Sequence, residues 1–114
     1  MLYAAELARR HPSILSVSLH PGVVETGLVT SLTGWKKAAV YVPNLLLRNP
    51  IMQVEQGCHN QLWCAVGARR DEIVNGGIYY PVGVLGNDRL DNAAKSLELA
   101  SELWDWTDEV LGNY

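Results

Sequence analysis

The residues able to do chemistry cluster early, in Ser18–Thr26, S-L-H-P-G-V-V-E-T. An apolar run climbs to His20, Pro21-Gly22 breaks it, and a short polar turn ends on Thr26. This is the pattern of a strand stopping where a ligand or a helix begins. His20 reads either as a general base or as a strand-end group that packs and hydrogen-bonds. No Ser or Asp is placed to complete a triad with it, which favours the second reading. Thr26 reads either as a helix cap or as a ligand-binding hydroxyl. His11 and His59 have no metal-ligand spacing such as HxxxH, so no metal site is expected. Cys58 and Cys64 stand six apart in what reads as one helix. That places them about 9 Å apart along its axis, beyond disulfide reach. Reduced thiols, as in a cytoplasmic protein, are expected. Lys36-Lys37 reads as a solvated pair rather than a phosphate clamp.

The elements that must position this stretch follow from periodicity. Met1–Arg10 predicts a helix, with Tyr3 and Leu7 on one face. Arg9, Arg10 and the following Pro12 mark its end, and no Ser, Thr, Asp or Asn caps its start. Ser13–His20 predicts a strand buried on most of both faces. Gly27–Pro50 is apolar without a period and predicts short helical pieces near Val29–Thr33 and Trp35–Tyr41, broken by Gly34 and Pro43. A segment of this kind inside one domain reads as a lid or binding lobe. Trp35, Tyr41 and Leu45–Leu47 either line its pocket or form its core.

Met52–Gly67 predicts one helix after Pro50, with Val54, Cys58, Gln61, Leu62 and Ala65 on its inner face. Ile78–Tyr80 centres a second strand between glycine-rich turns. Asp88 or Asp91 is expected to cap a last helix running to about Leu111, striped by Leu90, Ala94, Leu97, Ser101, Trp104, Thr107 and Leu111. Trp104 and Trp106 cannot both face inward on that helix. The strand–helix–strand order favours parallel pairing with a right-handed crossover. Two parallel strands alone make a poor sheet, so the first should have a neighbour on its free side that these residues do not supply.

Composition narrows the class. The chain has 114 residues, 48% hydrophobic and 18% charged, with net charge −3. That suits one globular domain and gives no basic footprint for nucleic acid. The longest apolar stretch, Ala38–Leu47, holds Pro43 and Asn44 and is far short of the roughly 20 residues of a membrane span. The first ten residues do not read as a signal peptide.

L-Y-A-A-E-L-A-R-R, S-V-S-L-H-P-G-V-V-E-T-G-L, Q-L-W and G-G-I-Y-Y-P-V-G, in that order, resemble the C-terminal part of a short-chain dehydrogenase/reductase. Pro21-Gly22-Val23-Val24-Glu25-Thr26 is similar to that family's P-G-x-x-x-T element. The resemblance implies an α/β fold, the C-terminal part of a Rossmann-type doubly wound parallel sheet. It implies one partial domain: the end of a core helix, a strand and the Pro-Gly turn in 1–26, a substrate lobe in 27–50, and a helix, last strand and terminal helix in 51–111. It implies NAD or NADP as cofactor and hydride transfer between an alcohol and a carbonyl. Pro21, Gly22 and Val23 would pass close to the nicotinamide, Val24 would hold its carboxamide through the backbone, and Thr26 would bond the carboxamide or pyrophosphate.

Trp35, Tyr41 and Leu45 would belong to the lobe that meets a lipophilic substrate. The late strand and helices would offer a subunit contact. The family's Tyr-x-x-x-Lys has no match here. The five tyrosines have Leu7, Leu45, Gly83, Val84 and nothing at their +4 positions. The catalytic Ser and the Gly-rich turn for the pyrophosphate have no match either. A C-terminal piece of an oxidoreductase, inactive and without stable cofactor binding when alone, is therefore expected. The alternative is a non-catalytic interaction module that pairs with an intact relative through an open strand edge.

Overall fold

A computed structural model describes residues 1–46 and 51–113. Helix α1 spans Leu2–Arg10, with no side-chain cap from Met1. The two arginines at its end do more than face the dipole. Arg9 Nε donates to Glu6 Oε2 at 2.8 Å and Arg10 Nε to Glu6 Oε1 at 2.6 Å, across the three- and four-residue spacings that bring helix side chains together. Glu6 is fully buried. Arg10 also reaches the last helix, α5 (Leu97–Gly112), through Ser101 Oγ at 3.1 Å and Asp105 Oδ1 at 3.0 Å. Its guanidinium lies 5.2 Å from the Trp104 ring centroid, and that ring stacks on Tyr3 at 4.8 Å. Trp104 thus seals α1 against α5, while Trp106 is 61% exposed.

The hydrogen bond from Arg9, with that from Arg10, holds the Glu6 carboxyl down to about 2 from its ordinary 4.5. A lowered folded-state value means that the stabilisation is complete above pH 4.5 and is lost as pH falls toward 2. Glu6→Gln should therefore lower the urea midpoint at neutral pH. The gap between wild type and variant should close as the midpoint is followed down that window.

The strands are short. Strand β1 is Ser18–Leu19 rather than the whole of Ser13–His20. Asn75 explains the difference. Its Oδ1 accepts from Ser16 N at 2.8 Å and its Nδ2 donates to the Ile14 carbonyl at 3.0 Å. Residues 14–16 thus bond to the Asn75 side chain and, through the Ser16 carbonyl, to Gly76 N at 2.7 Å, ahead of the strand ladder. The expected burial on both faces is not found either: Ser18 and Leu19 are half-buried. Strand β4, Ile78–Tyr80, pairs with β1 in parallel, Ser18 opposite Ile78 and Leu19 opposite Tyr79. Strand β5, Val84–Leu85, returns antiparallel on the other side of β4.

The first strand stops before Pro21, as the sequence suggests, but no helix follows the turn directly. After the turn, Val23–Val24 forms β2, which pairs in parallel with β3, Ile51–Met52. β-Branched valines favour this extended continuation over a helix start.

Helix α2 covers Gly27–Thr30 and α3 covers Trp35–Leu46. α3 runs through Pro43, where the sequence predicts a break. The ring removes one helix bond, and Asn44 Nδ2 adds one to the Val40 carbonyl at 2.7 Å. Leu47 and Pro50 lie outside the described residues.

The single helix expected over Met52–Gly67 is several pieces. Met52 belongs to β3, Val54–Gln56 is a 3₁₀ turn, α4 is His59–Leu62, and Trp63–Gly67 widens into a π turn. The changing pitch defeats the expected inner face. Val54, Cys58, Gln61, Leu62 and Ala65 are exposed, and Asn60 is the residue turned in. Cys58 and Cys64 are both free thiols.

Helix α5 begins later than expected. Ser96 caps it, its Oγ accepting from Leu99 N at 3.1 Å, while Asp91 closes an earlier turn through Ala94 N at 2.8 Å. Of the predicted stripe, Ser101, Trp104 and Thr107 are half-buried, and Leu97 and Leu111 are exposed. The order of the three-stranded sheet is β1-β4-β5, with β2-β3 a separate pair. The buried apolar core is Ala8, Ile73, Ile78, Tyr79 and Ala100. The radius of gyration is 17.0 Å, against about 13 Å for a compact domain of this length. Among the described residues no helix is long and apolar enough to cross a membrane.

Candidate functional site

A cleft of about 420 Å³ opens where β1, the Pro21-Gly22 turn and the end of β4 meet. That is a common size for a small-molecule site. Val23, Met52, Pro81 and Val84 give it apolar walls, and His20, Tyr80 and Arg89 supply its polar groups.

Each polar group is held from behind. His20 sits at the carboxyl end of β1, its N–H on the Tyr79 carbonyl at 2.8 Å. Its Nδ1 accepts from Gly22 N at 2.9 Å. That bond uses the Nδ1 lone pair and leaves the ring hydrogen on Nε2. Its ring stacks on Tyr80, centroids 5.5 Å apart. Arg89, in the 3₁₀ turn Asn87–Arg89, places its guanidinium 4.9 Å from the same Tyr80 centroid. Gly86 lets that turn approach, since a Cβ there would lie 2.4 Å from the Tyr80 ring.

Behind the cleft lies Asn60, which is buried. Its Nδ2 donates to the carbonyls of His20 and Tyr79, both at 2.9 Å, and its Oδ1 accepts from Gly83 N at 3.0 Å. One amide therefore ties together the end of β1, β4 and the β4–β5 turn.

The structure brings together some of the residues singled out from sequence. Gly22 and Val23 line the cleft. Pro21 is exposed beside it. The Val24 side chain packs toward Gly57, and the Val24 carbonyl accepts from Thr26 N at 2.9 Å. Glu25 N donates to the Met52 carbonyl at 2.9 Å, so ladder alternation turns the Val24 N–H away from β3. Thr26 stands at the N-cap of α2 and accepts from Val29 N at 2.9 Å through its main-chain carbonyl.

The lobe residues lie elsewhere. Trp35 and Leu45 are more than three-quarters exposed. The Tyr41 hydroxyl donates to Glu25, which, with burial, holds the phenol above its usual range. None of the three lines the cleft. His11 and His59 are exposed, and no cluster of metal ligands occurs among the described residues.

Asn60, Met52 and Arg89 were not singled out from sequence. Asn60 lay within a run read as one helix, and its bonding partners are 19 to 40 residues away. Arg89 carried one usable signal, its place just past a Gly-Asn turn that follows a strand.

Gly22 has φ +88°, a conformation side chains resist, and a Cβ there would meet Met52 Sδ at 2.7 Å and Pro81 Cγ at 3.1 Å. Gly22→Val should cost about 1–3 kcal/mol by thermal unfolding and should narrow the cleft. No family model matches the chain, and no curated protein or solved structure matches it at a significant level.

Proposed function

We propose that this chain forms the nicotinamide-side wall of the cofactor site of a cytoplasmic NAD(P)-dependent short-chain oxidoreductase, in the C-terminal part of a Rossmann-type sheet. The observation that carries the reading is the Pro21-Gly22 turn, set at the carboxyl end of a parallel strand pair and opening onto an apolar cleft. Ligands of open α/β sheets bind at the carboxyl ends of the strands. The residues present fit the nicotinamide end of such a cofactor. The cleft has room for a ring, with Gly22 and Val23 in its wall, and the Val24 N–H next to them is turned out of the β2–β3 ladder.

When bound, the nicotinamide supplies or accepts the hydride. This chain's part is to pack against one face of it and to bound the space for a lipophilic alcohol or ketone. The Tyr-x-x-x-Lys that would carry the proton transfer does not occur in this sequence. Turnover therefore needs further protein. The small buried core and exposed Trp35, Leu45, Leu46 and Val66 support a surface that packs against such protein.

The coding DNA preceding Met1 tests this. In-frame codons for Tyr-x-x-x-Lys close to Met1, with a Gly-rich turn further upstream, are expected. An in-frame stop there, or purified chain that oxidises NAD(P)H with ketones unaided, would remove the reading.

A second reading rests on β1. Ser18 and His20 donate to the carbonyls of Gly77 and Tyr79. Leu19 thus turns its peptide groups to the other side, where no strand pairs among the described residues. Such an edge can add a strand from another chain. Monodisperse, folded protein that ignores NAD(P)H but pairs with an intact relative would favour this interaction role.

A further inference from the structure

The cleft has a charge pattern that the reading above does not use. Arg89 is the full cation among the residues lining it, and no carboxylate lines it. Among the described residues Arg89 forms no ion pair; its contact is the Tyr80 ring. The Tyr80 ring thus holds two groups within 5.5 Å of its centroid, the Arg89 guanidinium and the His20 imidazole. The His20 ring can donate only through Nε2, because Gly22 occupies Nδ1.

The neighbouring backbone offers little more. Gly22 N is spent on His20 and Gly83 N on Asn60 Oδ1. A phosphate wants a cradle of several N–H donors. This mouth offers a planar guanidinium, one ring N–H and the Tyr80 hydroxyl, and the flat two-donor face of the guanidinium is the complement of a single planar carboxylate. Val23, Met52, Pro81 and Val84 line the rest of the cleft.

We propose that the cleft recognises a ligand with one carboxylate on an apolar body, the carboxylate pairing with Arg89. As a statement about binding this stands on the cleft alone. As a statement about substrate class it rests on the oxidoreductase reading, and then names an oxo or hydroxy acid with an apolar chain.

Calorimetric titration of the 114-residue chain with octanoate, 1-octanol and inorganic phosphate tests it. Octanoate should bind about tenfold more tightly than octanol, the difference that one charge-assisted pair makes, and phosphate should not displace it. Arg89→Gln should erase the preference for octanoate over octanol, and Arg89→Lys should restore part of it. Arg89 is exposed, so both variants should fold, which far-UV circular dichroism checks. Val84→Asp, which puts a carboxylate on the apolar wall, should weaken octanoate in the same assay.

Equal binding of octanoate and octanol, competition by phosphate, or an octanoate preference that survives Arg89→Gln each overturns the proposal. NADPH binding is followed separately by its own fluorescence. Octanoate binding without the upstream codons removes the oxidoreductase reading and keeps the site; the codons without octanoate preference do the reverse.

Discussion

Tyr79→Ala should leave much of the chain unfolded at room temperature. Tyr79 is 1% exposed, the largest fully buried side chain among the described residues, in a core that has few others. It sits on the central strand of the β1-β4-β5 sheet, opposite Leu19 on one side and Leu85 on the other. Its ring lies 5.5 Å from that of Trp63, and its hydroxyl accepts from Val74 N at 2.7 Å. Emptying a buried aromatic position costs about 3–5 kcal/mol, a large part of the 5–15 kcal/mol typical of a whole domain.

Tyr79→Phe separates the two contributions. It keeps the ring and removes one acceptor, and should cost about 1 kcal/mol. Trp106→Ala is the control: it removes a larger ring that is 61% exposed and should move stability by no more than about 0.5 kcal/mol. Urea unfolding followed by circular dichroism ranks the three. A Tyr79→Ala variant as stable as Trp106→Ala would mean that the sheet is not what holds the chain together.

The parts legible in the sequence are those set by local chemistry. Arg9-Arg10 and Pro12 marked the end of α1, the glycine-rich flanks marked β4, and the helical spacing of α5 required one tryptophan inside and one outside. What failed was set at a distance. The Asn75 side chain shortens β1 from 59 to 61 residues further along the chain. The pitch change between α4 and the π turn exposes a face that a regular helix would bury. Ser96 outcompetes Asp91 as a cap because the chain turns once more before α5 begins. Within the cleft the sequence pointed to Gly22 and Val23, whose neighbour Pro21 announces a turn. The groups that give the cleft much of its polarity, Tyr80 and Arg89, stand 60 and 69 residues after His20. Only the parallel pairing of β1 with β4 brings them to His20.

Asn60 is where stability and the cleft meet, and Asn60→Ala should damage both. Its amide makes three hydrogen bonds to main-chain groups of separate segments, at His20, Tyr79 and Gly83, while itself 1% exposed. Truncation removes every partner at once and leaves buried polar groups unsatisfied, at about 1–3 kcal/mol for each one that water cannot reach. Asn60→Asp is the sharper variant. It keeps the shape and the acceptor for Gly83 N, but it sets a carboxylate oxygen against two carbonyl oxygens, where repulsion replaces two bonds. It should be at least as destabilising as Asn60→Ala, although it is the smaller change.

The cleft should report the same loss. His20 is fixed at its carbonyl by Asn60 and at its ring by Gly22. Releasing the carbonyl frees the imidazole from its stack on Tyr80. In two-dimensional NMR of Asn60→Ala, the His20, Gly22 and Gly83 amides should shift most, while the α1–α5 contact around Trp104 stays in place. Shifts spread evenly over the chain would show Asn60 to be a general core residue. Shifts confined to those three amides would make it the clamp that sets the cleft's polar mouth.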